Sequence, residues 1–260
     1  MNAMKFRGMT PFFLICILIF SAQSFAADGI LVAAASDLQF ALPELAQKFE
    51  QQTGVKVNLI FGSSGNFTNQ IRNGAPFDLF FSADLNYPRQ LAADGLADPA
   101  TLYHYADGKI VLWTPIASKL DLQQGLNVLL RPDVHKISIA NPAHAPYGGA
   151  AVAALKHEKL YQQVKAKLVL GENISQAAQF VQSGNADVGI IAMSLALAPS
   201  AQGMGKYFEV PASDYPVIEQ GVVLLKGSSH KSPAIKFLDF LKTPESRTAL
   251  ARFGFSFSKQ

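Results

Sequence analysis

Four turns in the sequence combine small, hydroxyl or amide side chains with the start of a predicted helix, a pattern that suits anion binding. The first N–H groups of a helix have no partner within the helix, and the helix dipole puts partial positive charge at the same end. A serine hydroxyl beside that end adds another donor. The turns are interpreted as connections from a strand to a helix, so all should gather at the carboxyl ends of the strands, where open α/β sheets bind ligands. The turns are residues 35–37, 62–66, 141–149 and 171–175.

One such turn alone indicates little, because serine or aspartate before a helix is usually only an N-cap. The interpretation as an anion site depends on finding four such turns in one chain without catalytic motifs beside them. Residues 62–66 resemble a nucleophile elbow, but Asn66 stands where the second glycine is required. Residues 203–207 fail as a phosphate-binding loop in spacing and in the final residue. The sequence therefore predicts a binding protein and not an enzyme.

The histidines and acidic residues support the same interpretation. The acidic residues form no pattern that picks out a catalytic pair. The histidines show no metal-ligand spacing and are interpreted as surface or turn residues; they are His104, His135, His144, His157 and His230. One alternative of a different class remains, an exported serine hydrolase that uses Ser36 or Ser64, and it needs a general base that the fold brings to one of them.

The N-terminus has the three parts of a secretory signal. Lys5 and Arg7 are followed by an apolar run over residues 11–20, which is too short to span a bilayer, and Ser24-Phe25-Ala26 offers small residues where a signal peptidase cleaves. We predict a signal peptide over residues 1–26, cleavage after Ala26 and a periplasmic mature protein.

Charge and cysteine content limit the partners of the mature chain. Removal of residues 1–26 takes away two of the 22 basic residues and none of the 19 acidic ones, which lowers the formal net charge from +3 to +1. A charge this small argues against nucleic acid or an anionic membrane as partner. The one cysteine, Cys16, lies inside the signal, so neither a disulfide nor a Cys-based metal site is expected.

Strand-like and helix-like segments alternate along the whole mature chain. This alternation predicts an α/β protein with open, mostly parallel sheets and helices on both faces. Pro43 fits only the first turn of its helix, which should therefore begin near Phe40. The predicted strands are residues 30–35, 55–61, 79–81, 109–113, 136–140, 188–192 and 221–226, and the predicted helices are 38–52, 66–73, 86–94, 149–160, 174–183, 233–241 and 245–253. We expect two lobes, with residues 27–112 plus 217–260 in the first and residues 113–216 in the second.

Several segments resemble the periplasmic molybdate-binding protein (ModA) family of ABC transporters. The resemblance runs over essentially the whole mature chain in the right order. Its most specific parts are Gly74-Ala75-Pro76-Phe77-Asp78 and Ala145-Pro146-Tyr147-Gly148. It also includes the Ala-rich strand into Ser36-Asp37, and residues 61–65, 79–84, 108–113 and 140–142.

The resemblance implies a two-lobed class II periplasmic-binding fold that holds molybdate or tungstate in its cleft with neutral hydrogen-bond donors. Ser36 and Ser64 then supply hydroxyls, with Ser63 beside Ser64, and Asp37 supplies a backbone N–H. Tyr147 and Ile174 supply backbone N–H groups from the other lobe. No cofactor is implied, and the only metal is the molybdenum or tungsten of the anion itself, held through its oxygens by the same residues. The partner implied is an inner-membrane ABC permease, and we expect a monomer.

Some members of the family place a tyrosine hydroxyl on the anion at a position that matches Ala192, which has no hydroxyl. Tyr147 or Ser194 is the candidate to replace it. The same fold also suits sulfate or phosphate, and the Asp37 carboxylate is the acceptor that a protonated phosphate requires.

Overall fold

The computed structural model describes residues 29–257, so the predicted signal peptide lies outside the described part of the chain. The first elements are β1 (Ile30–Ala35), α1 (Ala41–Thr53), β2 (Val57–Gly62), α2 (Ser64–Arg72), β3 (Leu79–Ser82), α3 (Asn86–Ala93) and β4 (Tyr103–Gly108). The next are β5 (Ile110–Pro115), β6 (Ile137–Ala140), α4 (Pro146–His157), α5 (Tyr161–Val164), β7 (Leu168–Gly171), α6 (Ile174–Gln182), β8 (Val188–Ala192), α7 (Met193–Ala196) and β9 (Gly205–Glu209). The chain then forms β10 (Ile218–Leu224), α8 (Lys231–Leu241) and α9 (Pro244–Arg252).

The strands form two five-stranded sheets, in the orders β2-β1-β3-β10-β4 and β7-β6-β8-β5-β9. Helices cover both faces, which confirms the predicted α/β class and two-lobed architecture. Each sheet is mixed, because β1 pairs in parallel with β2 and β3, and β6 with β7 and β8, while β10 and β5 pair antiparallel with their neighbours. We call the first sheet with its helices lobe 1 and the second lobe 2.

The chain crosses between the lobes at Lys109 and again over residues 210–217. The sequence indicated a first crossing near residue 113, but the crossing lies earlier. The apolar run from Lys109 forms β5, which belongs entirely to lobe 2, and the last lobe 1 strand before the crossing is β4. The short edge strands β7 and β9 were also not predicted, because most of their residues are only partly buried and their sequences carry no clear alternation.

Helix α1 illustrates how the sequence sets the local structure. Leu42, Leu45 and Phe49 share one buried face, and Gly54 ends the helix with a left-handed φ of 72°. Pro43 lies in the first turn and Phe40 is the N-cap, as predicted. A 3₁₀ turn over Ser36–Leu38 separates β1 from α1, and it carries two of the candidate site residues.

Each lobe has its own apolar core. In lobe 1 the ring of Phe237 contacts those of Phe49, Phe81 and Phe240. In lobe 2 the only tryptophan, Trp113, is buried in β5. Within residues 29–257 no helix combines the length and apolar character that a membrane span requires.

Candidate functional site

A small cavity lies between the lobes, where β1 and β2 end and α2, α4 and α6 begin. Its volume of about 10 Å³ is close to that of one water molecule, so the lobes are closed around it. No lysine or arginine contributes to its wall. The lining residues are Ala35, Ser36, Asp37, Gly62, Ser63, Ser64, Ala83, Ala145, Pro146, Tyr147 and Ile174. Six of the seven predicted site residues are therefore together, and Ser194 is not among them.

Two serine hydroxyls of lobe 1 are held in place at the cavity by backbone N–H groups. Ser64 Oγ accepts from Ala83 N–H at 3.0 Å, and Ser36 Oγ accepts from Ser175 N–H of lobe 2 at 3.3 Å. Both serines are fully buried. Since each oxygen accepts in these contacts, each O–H proton stays available to donate to a ligand.

Three helices begin at the cavity. Ser64 is the first residue of α2, Ile174 is the first of α6, and Tyr147 is the second of α4 after Pro146. The sequence predicted that α4 begins at residue 149; it begins earlier because proline suits the first helical position. First-turn N–H groups have no partner within their own helix, so all three helices point donors at the cavity.

The lobes contact each other across the cleft through His144. Gly65 N–H donates to the His144 carbonyl at 2.9 Å, Ser63 Oγ lies 2.9 Å from His144 Nδ1, and Asn66 donates to Glu172. His144 lies in a turn, in agreement with its interpretation as a surface or turn residue, but the sequence did not indicate this interlobe contact. Its place inside the turn at 141–149 was the one available sequence signal.

Asp37 lies at the centre of a buried polar network that the sequence did not indicate. Its Oδ2 accepts from the Tyr147 hydroxyl at 3.0 Å and from Gln220 Nε2 at 2.9 Å, and Gln220 Oε1 accepts from the Tyr105 hydroxyl at 2.9 Å. The network joins Asp37, Gln220 and Tyr105 of lobe 1 to Tyr147 of lobe 2. Burial raises the pKa of Asp37 to about 7, although the donors from Tyr147, its own backbone and Gln220 lower it.

The candidates to replace a hydroxyl at Ala192 are both engaged elsewhere. The Tyr147 hydroxyl donates to Asp37, and Ser194 Oγ donates to the Asp37 carbonyl oxygen at 2.7 Å. Ala192 itself is fully buried at the end of β8. Tyr147 therefore lines the cavity, whereas Ser194 bonds to the backbone of Asp37 and does not line it.

Two adjacent glycines in α4 give a matched test of how closely this helix must approach β6. A Cβ on Gly148 would lie 2.1 Å from the Ala140 carbonyl oxygen, whereas a Cβ on Gly149 would contact nothing within 4 Å. We expect Gly148→Ala to lower the free energy of unfolding by about 2–3 kcal/mol, because backbone must move. Gly149→Ala should raise it by about 0.5–1 kcal/mol. Urea unfolding measures both, and equal stability of the two variants would contradict the close packing of α4 on β6 at Gly148.

Comparisons with known proteins agree with this geometry. Residues 30–256 match the family model described as "Bacterial extracellular solute-binding protein". The chain is 36% identical over 230 residues to the molybdate-binding protein ModA of Rhodobacter capsulatus. This alignment covers 88% of this chain and 89% of that protein. The molybdate-binding protein ModA of Azotobacter vinelandii is 37% identical over 229 residues, and the alignment covers 88% of this chain and 90% of that protein. The solved structure of the Azotobacter vinelandii periplasmic molybdate-binding protein superposes with a TM-score of 0.84 at 34% identity, over 88% of this chain and 100% of that chain.

Proposed function

The chain belongs to the bacterial extracellular solute-binding proteins and, among them, to the molybdate-binding ModA proteins of ABC transporters, and we propose that it captures molybdate or tungstate in the interlobe cavity. In this proposal the mature protein works in the periplasm as a monomer, delivers the anion to an inner-membrane permease, and uses no cofactor. One observation carries it: two serine hydroxyls and three helix N-termini meet at one buried cavity whose wall has no cationic side chain.

Neutral donors are sufficient for tight binding of a dianion. A hydrogen bond to a charged partner contributes roughly 1.5–3 kcal/mol. Five such bonds, from the hydroxyls of Ser36 and Ser64 and the N–H groups of Asp37, Tyr147 and Ile174, together contribute roughly 8–15 kcal/mol, which reaches the roughly 8–12 kcal/mol of a micromolar to nanomolar dissociation constant. The upper part of this range also offsets desolvation of the anion and closure of the lobes.

Selectivity separates this function from the sulfate and phosphate alternatives. We expect calorimetric titration of residues 27–260 to give micromolar or tighter binding of molybdate and tungstate, and weaker binding of sulfate and phosphate. Absence of binding for the first two anions would refute the proposal. Tight phosphate binding that Asp37→Asn abolishes would favour the phosphate alternative instead.

A serine hydrolase is disfavoured by the geometry of its candidate residues. The serine that lies beside a histidine is Ser63, and its partner His144 belongs to the other lobe, so the contact exists only when the lobes are closed. His144 Nε2 is 3.8 Å from Glu172, beyond hydrogen-bond distance. The relatives reported above are likewise binding proteins.

Gly65 tests whether closure of the lobes retains the anion. A Cβ at Gly65 would lie 2.9 Å from the His144 backbone in the opposite lobe. We expect Gly65→Ala to weaken molybdate binding about tenfold or more, mainly through faster dissociation, since the closed state loses roughly 1.4 kcal/mol. Stopped-flow kinetics measure the rates, with Gly149→Ala as a control of unchanged affinity. An unaltered dissociation rate in Gly65→Ala would show that this contact does not retain the anion.

A further inference from the structure

The two carboxyl oxygens of Asp37 differ in their surroundings. Oδ2 accepts two hydrogen bonds, from Tyr147 and Gln220, whereas Oδ1 is buried and has no hydrogen-bond partner within residues 29–257. Asp37 is 1% exposed and belongs to the cavity wall. A buried carboxyl oxygen without a partner is costly, and in a binding site it marks a position where a proton or a ligand atom belongs.

The charges around Asp37 make this oxygen important for an anion site. A dianion in the cavity would lie next to Asp37, which belongs to the cavity wall, and like charges in a desolvated site are not both kept ionised. The wall of the cavity contains no cation to separate them.

The elements packed around the Ser36–Leu38 turn provide no countercharge either. Helices α6 and α7 and strand β2 pack against this turn and contain no ionisable residue. Lys156 and His157 lie at the far end of α4, and Glu219 of β10 is exposed on the face opposite Gln220.

The remaining titratable groups near Asp37 are tyrosines that stay neutral. Burial and the charge of Asp37 hold the pKa values of Tyr147 and Tyr105 well above their ordinary value. On β4, His104 and Asp107 pair with each other at 2.7 Å. A proton on Asp37 itself is therefore the available means of neutralising the repulsion.

We infer that Asp37 is a specificity-determining residue of the anion site, whose carboxyl group takes up one proton when a tetrahedral dianion binds and donates it from Oδ1 to an anion oxygen. This inference rests on the proposed function. On binding, one Asp37 carboxylate, one proton from solvent and one dianion combine to give a neutral carboxyl group that is hydrogen-bonded to the bound dianion. No covalent bond to the anion forms. A monohydrogen phosphate brings its own proton, so it would be held by the ionised carboxylate without uptake.

The raised pKa of Asp37, about 7, gives the pH range in which uptake is visible. The free protein has this group ionised at pH 8 and largely protonated at pH 6. Uptake should therefore be close to one proton per anion at pH 8 and near zero at pH 6. Above pH 7 the dissociation constant for molybdate should rise about tenfold per pH unit.

The test is calorimetric titration of the wild-type mature protein with molybdate in several buffers of different ionisation enthalpy, at pH 6 and pH 8. The dependence of the observed heat on buffer enthalpy gives the number of protons taken up. Binding at pH 8 without proton uptake would overturn the inference and leave the proposed function intact. Failure to bind molybdate at either pH would instead refute the proposed function, and the inference with it.

Two variants assign the proton to its residue. Asp37→Asn should take up no proton at pH 8, and its affinity should no longer depend on pH. Glu219→Gln, which removes an exposed carboxyl group beside Gln220, should keep the wild-type uptake. Uptake that persists in Asp37→Asn or disappears in Glu219→Gln would overturn the inference. If Asp37→Asn does not fold, the wild-type and Glu219→Gln counts still decide it.

Discussion

Replacement of both Ser36 and Ser64 with alanine is expected to weaken molybdate binding by about 10²–10⁴-fold. Each serine has an O–H proton that its contacts with backbone N–H groups leave free, and each lies on the cavity wall. Loss of two hydrogen bonds to a charged ligand removes roughly 3–6 kcal/mol of binding free energy. Calorimetry at constant pH measures the change directly.

Ser138→Ala provides the matched control for this pair. Ser138 is also a fully buried serine, but its hydroxyl donates to the Ala177 carbonyl at 2.8 Å inside lobe 2, away from the cavity wall. Its affinity for molybdate should equal that of the wild type. Unfolding curves are needed for every variant, since loss of Ser64 Oγ leaves the Ala83 N–H without this acceptor. Wild-type affinity in the Ser36→Ala, Ser64→Ala double variant would refute the assignment of the site.

Asp37→Asn is expected to stabilise the anion-free protein strongly at neutral and alkaline pH. The pKa of Asp37 rises from 3.8 to about 7 on folding because the carboxyl group is buried. The neutral form is therefore favoured in the native state. Its contribution to stability is fully present below pH 4 and is lost as the pH rises to 7. The loss amounts to something on the order of 4 kcal/mol, and asparagine does not suffer it.

The measurement is urea unfolding of the wild type and Asp37→Asn at pH 4, 6 and 8 without added anion. The difference in the free energy of unfolding should grow in favour of the variant between pH 4 and pH 7 and stay constant above. Glu219→Gln serves as the control, because its exposed carboxyl group should produce no comparable trend. A stability difference that is independent of pH would contradict a raised pKa at Asp37.

Much of the site could be predicted from the sequence because its parts are local. A serine at the end of a strand, a proline at the first position of a helix and an asparagine N-cap each specify a helix start within a few residues. Local patterns identified the turns at residues 35–37, 62–66, 141–149 and 171–175, and the resemblance to the ModA family selected Ser36, Ser64, Tyr147 and Ile174 within them. The fold brings all four residues to one cavity. Their role as anion ligands is still a prediction.

The features that escaped prediction depend on contacts between distant segments. Gln220 meets Asp37 across 183 residues of sequence, and His144 meets Ser63 across 81. No local pattern distinguishes a glutamine that is buried against Asp37 from one that faces water. The boundary between β4 and β5 was missed for a related reason: β4 includes His104 and Asp107 and has no apolar pattern typical of a strand, so only its pairing with β10 shows that it belongs to the other sheet.

Elemental analysis after equilibrium dialysis tests whether the interlobe cavity binds one molybdate through neutral donors. The mature wild-type protein, dialysed against molybdate at pH 6 in an excess of sulfate, is predicted to retain one molybdenum atom per chain, and the Ser36→Ala, Ser64→Ala double variant should retain far less. A wild-type protein without molybdenum, or a double variant with the wild-type content, would contradict binding at this cavity.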